Sequence, residues 1–442
     1  MRIAIVGAGI SGLSTAFYLQ RAKPDWELLI FDSNPVPGGT MRTVERGGFL
    51  FEAGGNGFLT NKPDSMQLVK DAGAEQLLLP SSDLARKRFI FTDKLHRLPE
   101  SPPAFLGSKL LSLPQKLRVM AEVVTPAKRD GSDETLQQFG YRRVGKAFTD
   151  VFLDAMTAGI YATTPDRVSV NAAFPLVVNL EREYGGLFRG MIKRRKKQAG
   201  PGGILMSFKG GVGRFIQHLQ EVLRADWRLG TQVTGVLPDA GGYRIITSGG
   251  EEQVDRVIVS ATAPAAAGML RDLDADIAER LQAIDYSPIA VVGFGYHDLD
   301  HPLEGFGLLT TTGAQLPILG VLWDSSIFTD RAPEDGRSVR VMIGGQRNPE
   351  LVRQDEAGLI ATAREGIRLT MGVDREPDVS FVQCWERGIP NYPVGHLKAM
   401  DDLFGHLGRY PGLHLNCNAY RGIAMNDCVR NSRELAERIA AD

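Results

Sequence analysis

Residues 2–22, RIAIVGAGISGLSTAFYLQRA, decide the fold. Ile3-Ala4-Ile5-Val6 is an uninterrupted apolar run, the pattern of a parallel strand covered on both faces. Gly7, Gly9 and Gly12 follow as GxGxxG, with Ile10 and Ser11 inside the motif. The first glycine permits a tight turn, the second lets backbone approach a pyrophosphate, and the third lets helix and strand pack closely. The amides opening the helix then face phosphate charge. Leu28-Leu29-Ile30-Phe31 reads as a second strand, ending in Asp32 and Ser33, where an acidic side chain accepts from ribose hydroxyls. Strand, turn, helix, strand and acid together predict a dinucleotide site in a doubly wound, Rossmann-like α/β domain.

Working outward, Pro37-Gly38-Gly39-Thr40-Met41-Arg42 follows after a short polar turn. It resembles the second glycine pair of the flavin-dependent amine oxidase superfamily, in which glycines and an arginine lie along an FAD pyrophosphate. A simple NAD domain has no need of this pair. At the far end, Leu413-His414-Leu415 reads as a short strand and Asp427 to Ala441 as a closing helix. Between them, Ile423-Ala424-Met425 form a small apolar turn whose amides suit a flavin's pyrimidine edge, with the helix dipole stabilising the reduced ring's charge. Gln232–Val236 reads as a strand whose Val233 packs near the adenine in folds of this kind, and 257–261 returns to the sheet. Both chain ends therefore close one domain, and other domains are inserted into it.

The 442 residues suffice for two or three domains. A net charge of -1 provides no field that would attract nucleic acid, and no nucleic-acid module is present. Three cysteines, Cys384, Cys417 and Cys428, are too few and irregular for a disulfide framework or a metal site, which points to a reducing compartment. The first strand begins at Arg2, leaving no room for a signal peptide ahead of it, and no long apolar window predicts a spanning helix.

Further motifs run in order along nearly the whole chain: RFIFTDKLHRLPESPPAFL, AGIYATTPDRVSVNAAFP, DYSPIAVVGFGY, EGFGLL, MIGGQRNPEL, WERGIPNYPVGHL and GLHLNCNAYRGIAMNDC. With the opening turn they resemble the protoporphyrinogen oxidase family, within the flavin amine oxidase superfamily. The resemblance implies FAD as cofactor and a six-electron oxidation of a porphyrinogen, with three O2 reduced to H2O2. A hydride leaves a meso carbon for the flavin, so no nucleophile triad or carboxylate pair is needed. The resemblance also implies a substrate pocket. Arg88 would hold a propionate, Leu309 and Leu322 would sandwich a pyrrole ring, Met342 would press on the macrocycle, and Gly159 would let a carbonyl approach it. On the flavin side it implies Gly54, Gly55, Asn56 and Trp385. Some positions depart from the family: Gly54-Gly55-Asn56-Gly57 replaces a Gly-Pro-Asn-Ser turn, Cys417 a glycine, and Asp32 a glutamate.

The implied division is an FAD-binding domain of residues 1–65, 203–265 and 386–442, an α+β substrate domain of 66–97 and 266–385, and a helical insertion of 98–202. Within the insertion, Leu113, Leu117, Met120 and Val124 share one helical face, and Phe148, Val151, Phe152 and Ala155 another. The family uses such an insertion to dock on a membrane surface, so a cytoplasmic, peripherally membrane-bound enzyme is expected, with a homodimer possible. The basic run between Arg189 and Lys197 fits either a solvated loop or attraction to anionic lipid. Coproporphyrinogen III oxidation by the same fold is the nearest alternative. Its substrate has four propionates rather than two, so the cations Arg86, Lys87, Arg88 and Arg97 bear on the choice. An amine oxidase and a non-catalytic flavoprotein scaffold are the more distant readings.

Overall fold

The computed structural model describes residues 1–197 and 203–442. Its organising element is a five-stranded parallel sheet in the order 226–229, 27–32, 2–6, 256–259, 413–415. Arg2–Val6 lies at the centre, paired with Glu27–Asp32 on one side and Arg256–Val259 on the other. Ile3, Ala4 and Ile5 are fully buried, because helices cover both faces, and this is why the strand is apolar without alternation. The helix Ile10–Ala22 leaves the first strand and packs on the closing helix, Met425–Ala441. Buried polar groups fix that contact: Asn416 Nδ2 donates to Thr15 Oγ1 and to Ser432 Oγ, each at 2.9 Å.

The second sheet has seven mostly antiparallel strands, in the order 379–390, 286–297, 336–344, 318–322, 307–310, 88–91, 95–97. One face buries Val292, Phe294, Val339, Val341 and Ile343 against the helix Glu356–Met371. The other face packs on a short hairpin from the first part of the chain. There Gly293 and Gly295 leave space for Phe51 and Phe49 of the hairpin Thr43–Arg46 and Phe49–Glu52, whose rings would lie 2.4 and 2.7 Å from an added Cβ. Two larger residues would push the hairpin off the sheet.

Two segments depart from the expected partition. Ala263–Leu270 and Ala275–Gln282 bury Ala266, Ala267, Leu270, Ile277 and Leu281 against Ala4, Leu29 and Val257 of the parallel sheet, not against the second. Their run of alanines allows this close approach. Leu68, Val69 and Ala72 likewise join Ile3 and Leu13. The closing helix begins at Met425, two residues before the expected start.

Between residues 98 and 197 the chain is mainly helical, held by a buried ion pair. Arg143 and Glu122 are both fully buried and paired, and Glu122 also accepts from the amides of Leu187 (2.7 Å) and Phe188 (3.1 Å). No described helix is long and apolar enough to cross a membrane.

Candidate functional site

The candidate cofactor site is built on the opening turn. Gly7 sits at φ +110°, and an added Cβ would meet the backbone of Ser260 at 2.8 Å. Gly12 is packed harder still, since its Cβ would stand 2.0 Å from the Gly7 carbonyl oxygen. Gly9 differs, because a Cβ there meets nothing within 4 Å. The first and third glycines are thus demanded by the protein, while the second faces open space. Gly38 and Gly39 are brought directly onto this turn. Gly38 N donates to Ala8 O at 2.8 Å, and the backbones of Gly9 and Gly38 form an isolated bridge.

Asp32 is oriented by the same turn. Its Oδ2 accepts from Ala8 N and its Oδ1 from Asn34 N, both at 2.8 Å. Ser33 follows on the exposed side. Val233 is buried nearby, where Thr231 N donates to Asp32 O at 2.9 Å. Ile10 and Ser11 open the first helix, and neither this helix nor Met425–Ala441 has a side-chain cap at Gly9 or Ala424. The start of the first helix is tied to the closing helix two turns in, where Ser432 Oγ donates to Ser11 O at 2.9 Å. Their orphan amides and positive dipole ends suit a diphosphate and an anionic ring edge. Thr40 and Arg42 lie on the segment joining Gly39 to the hairpin, and Ala53 N donates to Arg42 O at 2.8 Å. Ile423, Ala424 and Met425 retain exposure where the closing helix begins.

The candidate substrate wall is one face of the seven-stranded sheet. In register, Arg88 pairs with Gly307, Gly307 with Leu322, and Leu322 with Arg340. Two residues along each strand, Ile90 pairs with Leu309, Leu309 with Gly320, and Gly320 with Met342. Side chains alternate across a strand, so Arg88, Leu309, Leu322 and Met342 share a single face about 14 Å wide. The helix Asp154–Tyr161 crosses it: an added Cβ on Gly159 would lie 2.9 Å from Leu309 Cδ2. Gly159 is interior to that helix, which ends instead at Ala162 in the left-handed conformation (φ +50°). Met342 and Trp385 pack on Ala158 and Ile289. Leu322 and Phe306 both pack on the cluster of Ala85, Ile327 and Phe328, and the Arg88 guanidinium lies over the Phe306 ring, 5.2 Å from its centre.

The cationic cluster divides cleanly. Arg86 pairs with Asp83 (3.1 Å), Lys87 with Glu304 (2.6 Å) and Arg97 with Glu100 (2.7 Å). Arg97 stands opposite Phe89, on the other face of the sheet. Arg88 shows no carboxylate partner among the described residues.

Sequence reasoning missed the charged residues that hold the walls together. Arg340 is fully buried on the site face and paired with Asp324. Arg347 donates to Thr310 O (2.8 Å) and to Asp154 Oδ2 (2.9 Å), which ties the crossing helix to the sheet. Burial lowers the Arg347 pKa and Asp154 opposes that shift. Glu52 is buried beneath the hairpin, where desolvation pushes its carboxyl upward and Arg331, at 2.9 Å, pulls it back. The sequence offers only a weak signal for Arg340: in VRVMIGG an arginine interrupts an apolar run, in phase with Met342, and nothing there names its partners.

A parallel sheet whose first turn carries these glycines and ends its second strand in Asp32 defines a dinucleotide-binding protein of the Rossmann-like class. Comparison with known proteins identifies the family. The model of flavin containing amine oxidoreductases matches residues 10–440, and the chain belongs to that family. Its cofactor is FAD, and the glycine strip and two uncapped helix starts fit it. The chain is 29% identical to a chloroplastic protoporphyrinogen oxidase of Oryza sativa subsp. japonica, over 99% of this chain and 87% of that one. It is 27% identical to a coproporphyrinogen III oxidase of Bacillus subtilis (strain 168), over 97% and 95%. A crystal structure from Exiguobacterium sp. 255-15, provisionally named a protoporphyrinogen oxidase, superposes with a TM-score of 0.88 at 26% identity. That match covers 100% of this chain and 98% of the other.

Proposed function

We propose that this chain is an oxygen-dependent porphyrinogen oxidase that converts protoporphyrinogen IX to protoporphyrin IX, with three O2 reduced to three H2O2. The observation carrying the proposal is the single sheet face that gathers Arg88, Leu309, Leu322 and Met342. Bound FAD supplies the electron-accepting chemistry and its reoxidation by O2. Gly9 and Gly39 let backbone approach its diphosphate, Gly7, Gly12 and Gly38 hold the turn in the shape this needs, Asp32 accepts from its ribose, and Ile423 to Met425 face its ring. Leu309, Leu322 and Met342 hold a flat apolar macrocycle and exclude water, while Arg88 anchors a carboxylate as a charge-assisted pair.

Arg88 is the one member of the cationic cluster that combines the site face with a free guanidinium among the described residues. This favours the substrate with two propionates over the one with four, although relatives carry both names. Turnover of both porphyrinogens under air, followed by porphyrin fluorescence and peroxide, tests the reading. A clear preference for coproporphyrinogen would reverse the order, and inertness to both would end it.

In this reading the insertion docks the enzyme on a membrane. Leu113, Leu117, Met120 and Val124 are 68, 56, 51 and 76% exposed, an apolar stripe that no other described part of the chain covers. Such a stripe favours interfacial burial. In the basic run, the side chains of residues 194–197 lie outside the described residues. The cofactor unit retains 1–65, 203–265 and 386–442, enlarged by the helices through Gln282. A homodimer remains part of the proposal and is checked by sedimentation of the holoprotein.

A further inference from the structure

The Gly54-Gly55-Asn56 turn belongs to the chain's first segment, yet its anchors come from the opposite sheet. Three consecutive carbonyls are captured there. Arg340 Nη1 donates to Glu52 O at 2.6 Å and to Gly54 O at 3.0 Å, and Trp385 Nε1 donates to Ala53 O at 2.7 Å. Arg340 Nη2 also donates to Asn56 Oδ1, while the far side of the guanidinium is held by both oxygens of Asp324. The side chains of Arg340 and Asp324 are 0 and 2% exposed. Beyond this clamp, Gly55 is exposed and has nothing within 4 Å of an added Cβ, so the turn presents bare backbone to open space.

The guanidinium stands in the same strand row as Leu322 and one alternation from Met342. A shift of the macrocycle-facing strands therefore moves the turn with them. A neutral side chain would not do this, because several acceptors in fixed directions need the planar fork of an arginine.

We infer that Arg340 is a positioning residue. It fixes the Gly54-Gly55-Asn56 turn, and through it the flavin, at a set height above the substrate face. The inference rests on that turn lying along the cofactor, and it holds for either porphyrinogen.

The test uses holoprotein of the wild type, Arg340→Lys, Asn56→Ala and Asn56→Asp. Lysine keeps a charge beside Asp324 but loses the fork. Asn56→Ala removes only the outer contact and leaves the buried pair intact. Aspartate still offers an oxygen to the guanidinium. The expected result is a changed visible absorption and circular dichroism of the bound flavin in Arg340→Lys and Asn56→Ala. Their FAD dissociation constants should rise about tenfold or more, the effect of losing about one hydrogen bond to a charged group. Turnover should fall with little change in KM, and Asn56→Asp should restore the wild-type spectrum. A merely structural tie would lower the melting temperature and leave the flavin signature alone. Wild-type spectra and FAD affinities within twofold in both Arg340→Lys and Asn56→Ala would overturn the inference. Should Arg340→Lys not fold, the Asn56 pair decides by the same readouts. Spectrum and FAD affinity need no substrate, so they separate the two outcomes even in a protein inert to both porphyrinogens.

Discussion

Arg88 and Gly12 show how differently single residues act in this protein. Arg88 is exposed, stacked on Phe306 and unpaired among the described residues, so its removal disturbs no core. Arg88→Ala should keep the yellow cofactor and the melting temperature while raising KM for the porphyrinogen about tenfold to a hundredfold. That is the worth of a charge-assisted hydrogen bond, about 1.5–3 kcal/mol, and an unchanged KM would remove Arg88 from the pocket. Gly12→Ala acts through packing instead. Its methyl group would stand 2.0 Å from the Gly7 carbonyl oxygen, so helix and strand must separate. A cost of about 1–3 kcal/mol, or more, is expected from such overpacking, with loss of bound FAD on gel filtration. Both residues were legible in the sequence, one through a motif and one through a family likeness. Arg340 was not, because a lone arginine in an apolar strand does not declare its partners.

At the scale of elements, the helical insertion is the segment whose periodicity was clearest and whose meaning was least so. Leu113, Leu117, Met120 and Val124 form the predicted stripe, but the stripe faces outward rather than into a helix bundle. Periodicity identifies an apolar face and is silent on what covers it. Leu117→Glu combined with Val124→Glu should leave turnover in detergent intact and reduce co-sedimentation with lipid vesicles; unchanged vesicle binding would refute the docking surface. The interior of the insertion is held differently, by the buried pair of Arg143 and Glu122. Arg143→Met would strand the Glu122 carboxylate, at a cost of about 3–5 kcal/mol. Limited proteolysis should then cut within residues 100–190 while the remainder still binds FAD, since local stability is not uniform across a chain.

For the whole molecule, the parallel sheet carries a pH dependence. His414 lies on the short strand Leu413–Leu415, beside Ile258. Burial, reinforced by Arg256 and Arg438, pushes its pKa from 6.5 down to about 4. The unfolded chain therefore takes up a proton that the native state refuses. The stability tied to neutral His414 is fully present above about pH 6.5 and is lost as pH falls toward 4. Melting temperatures of the wild type should drop across that window more steeply than those of His414→Leu; parallel curves would show that the histidine carries none of the dependence. FAD removal should lower the melting temperature at every pH, because a ligand that binds only the native state stabilises it by mass action.

What the sequence determined by itself was the cofactor half of the protein. A strand, three glycines, a helix, a second strand and an acid are contiguous, and local steric rules fix their geometry without help from the rest of the chain. The second glycine pair and the closing turn could be read for the same reason. The tertiary structure decided the other wall. Arg88, Gly307, Leu322 and Arg340 are spread over more than 250 residues of chain, and strand register alone puts them in one row. Register depends on cross-strand pairing and on which face is buried, both non-local quantities. The same holds for the helices between Ala263 and Gln282. Their apolar residues were visible in the sequence, but the sheet they cover was settled only by packing against Ala4, Leu29 and Val257.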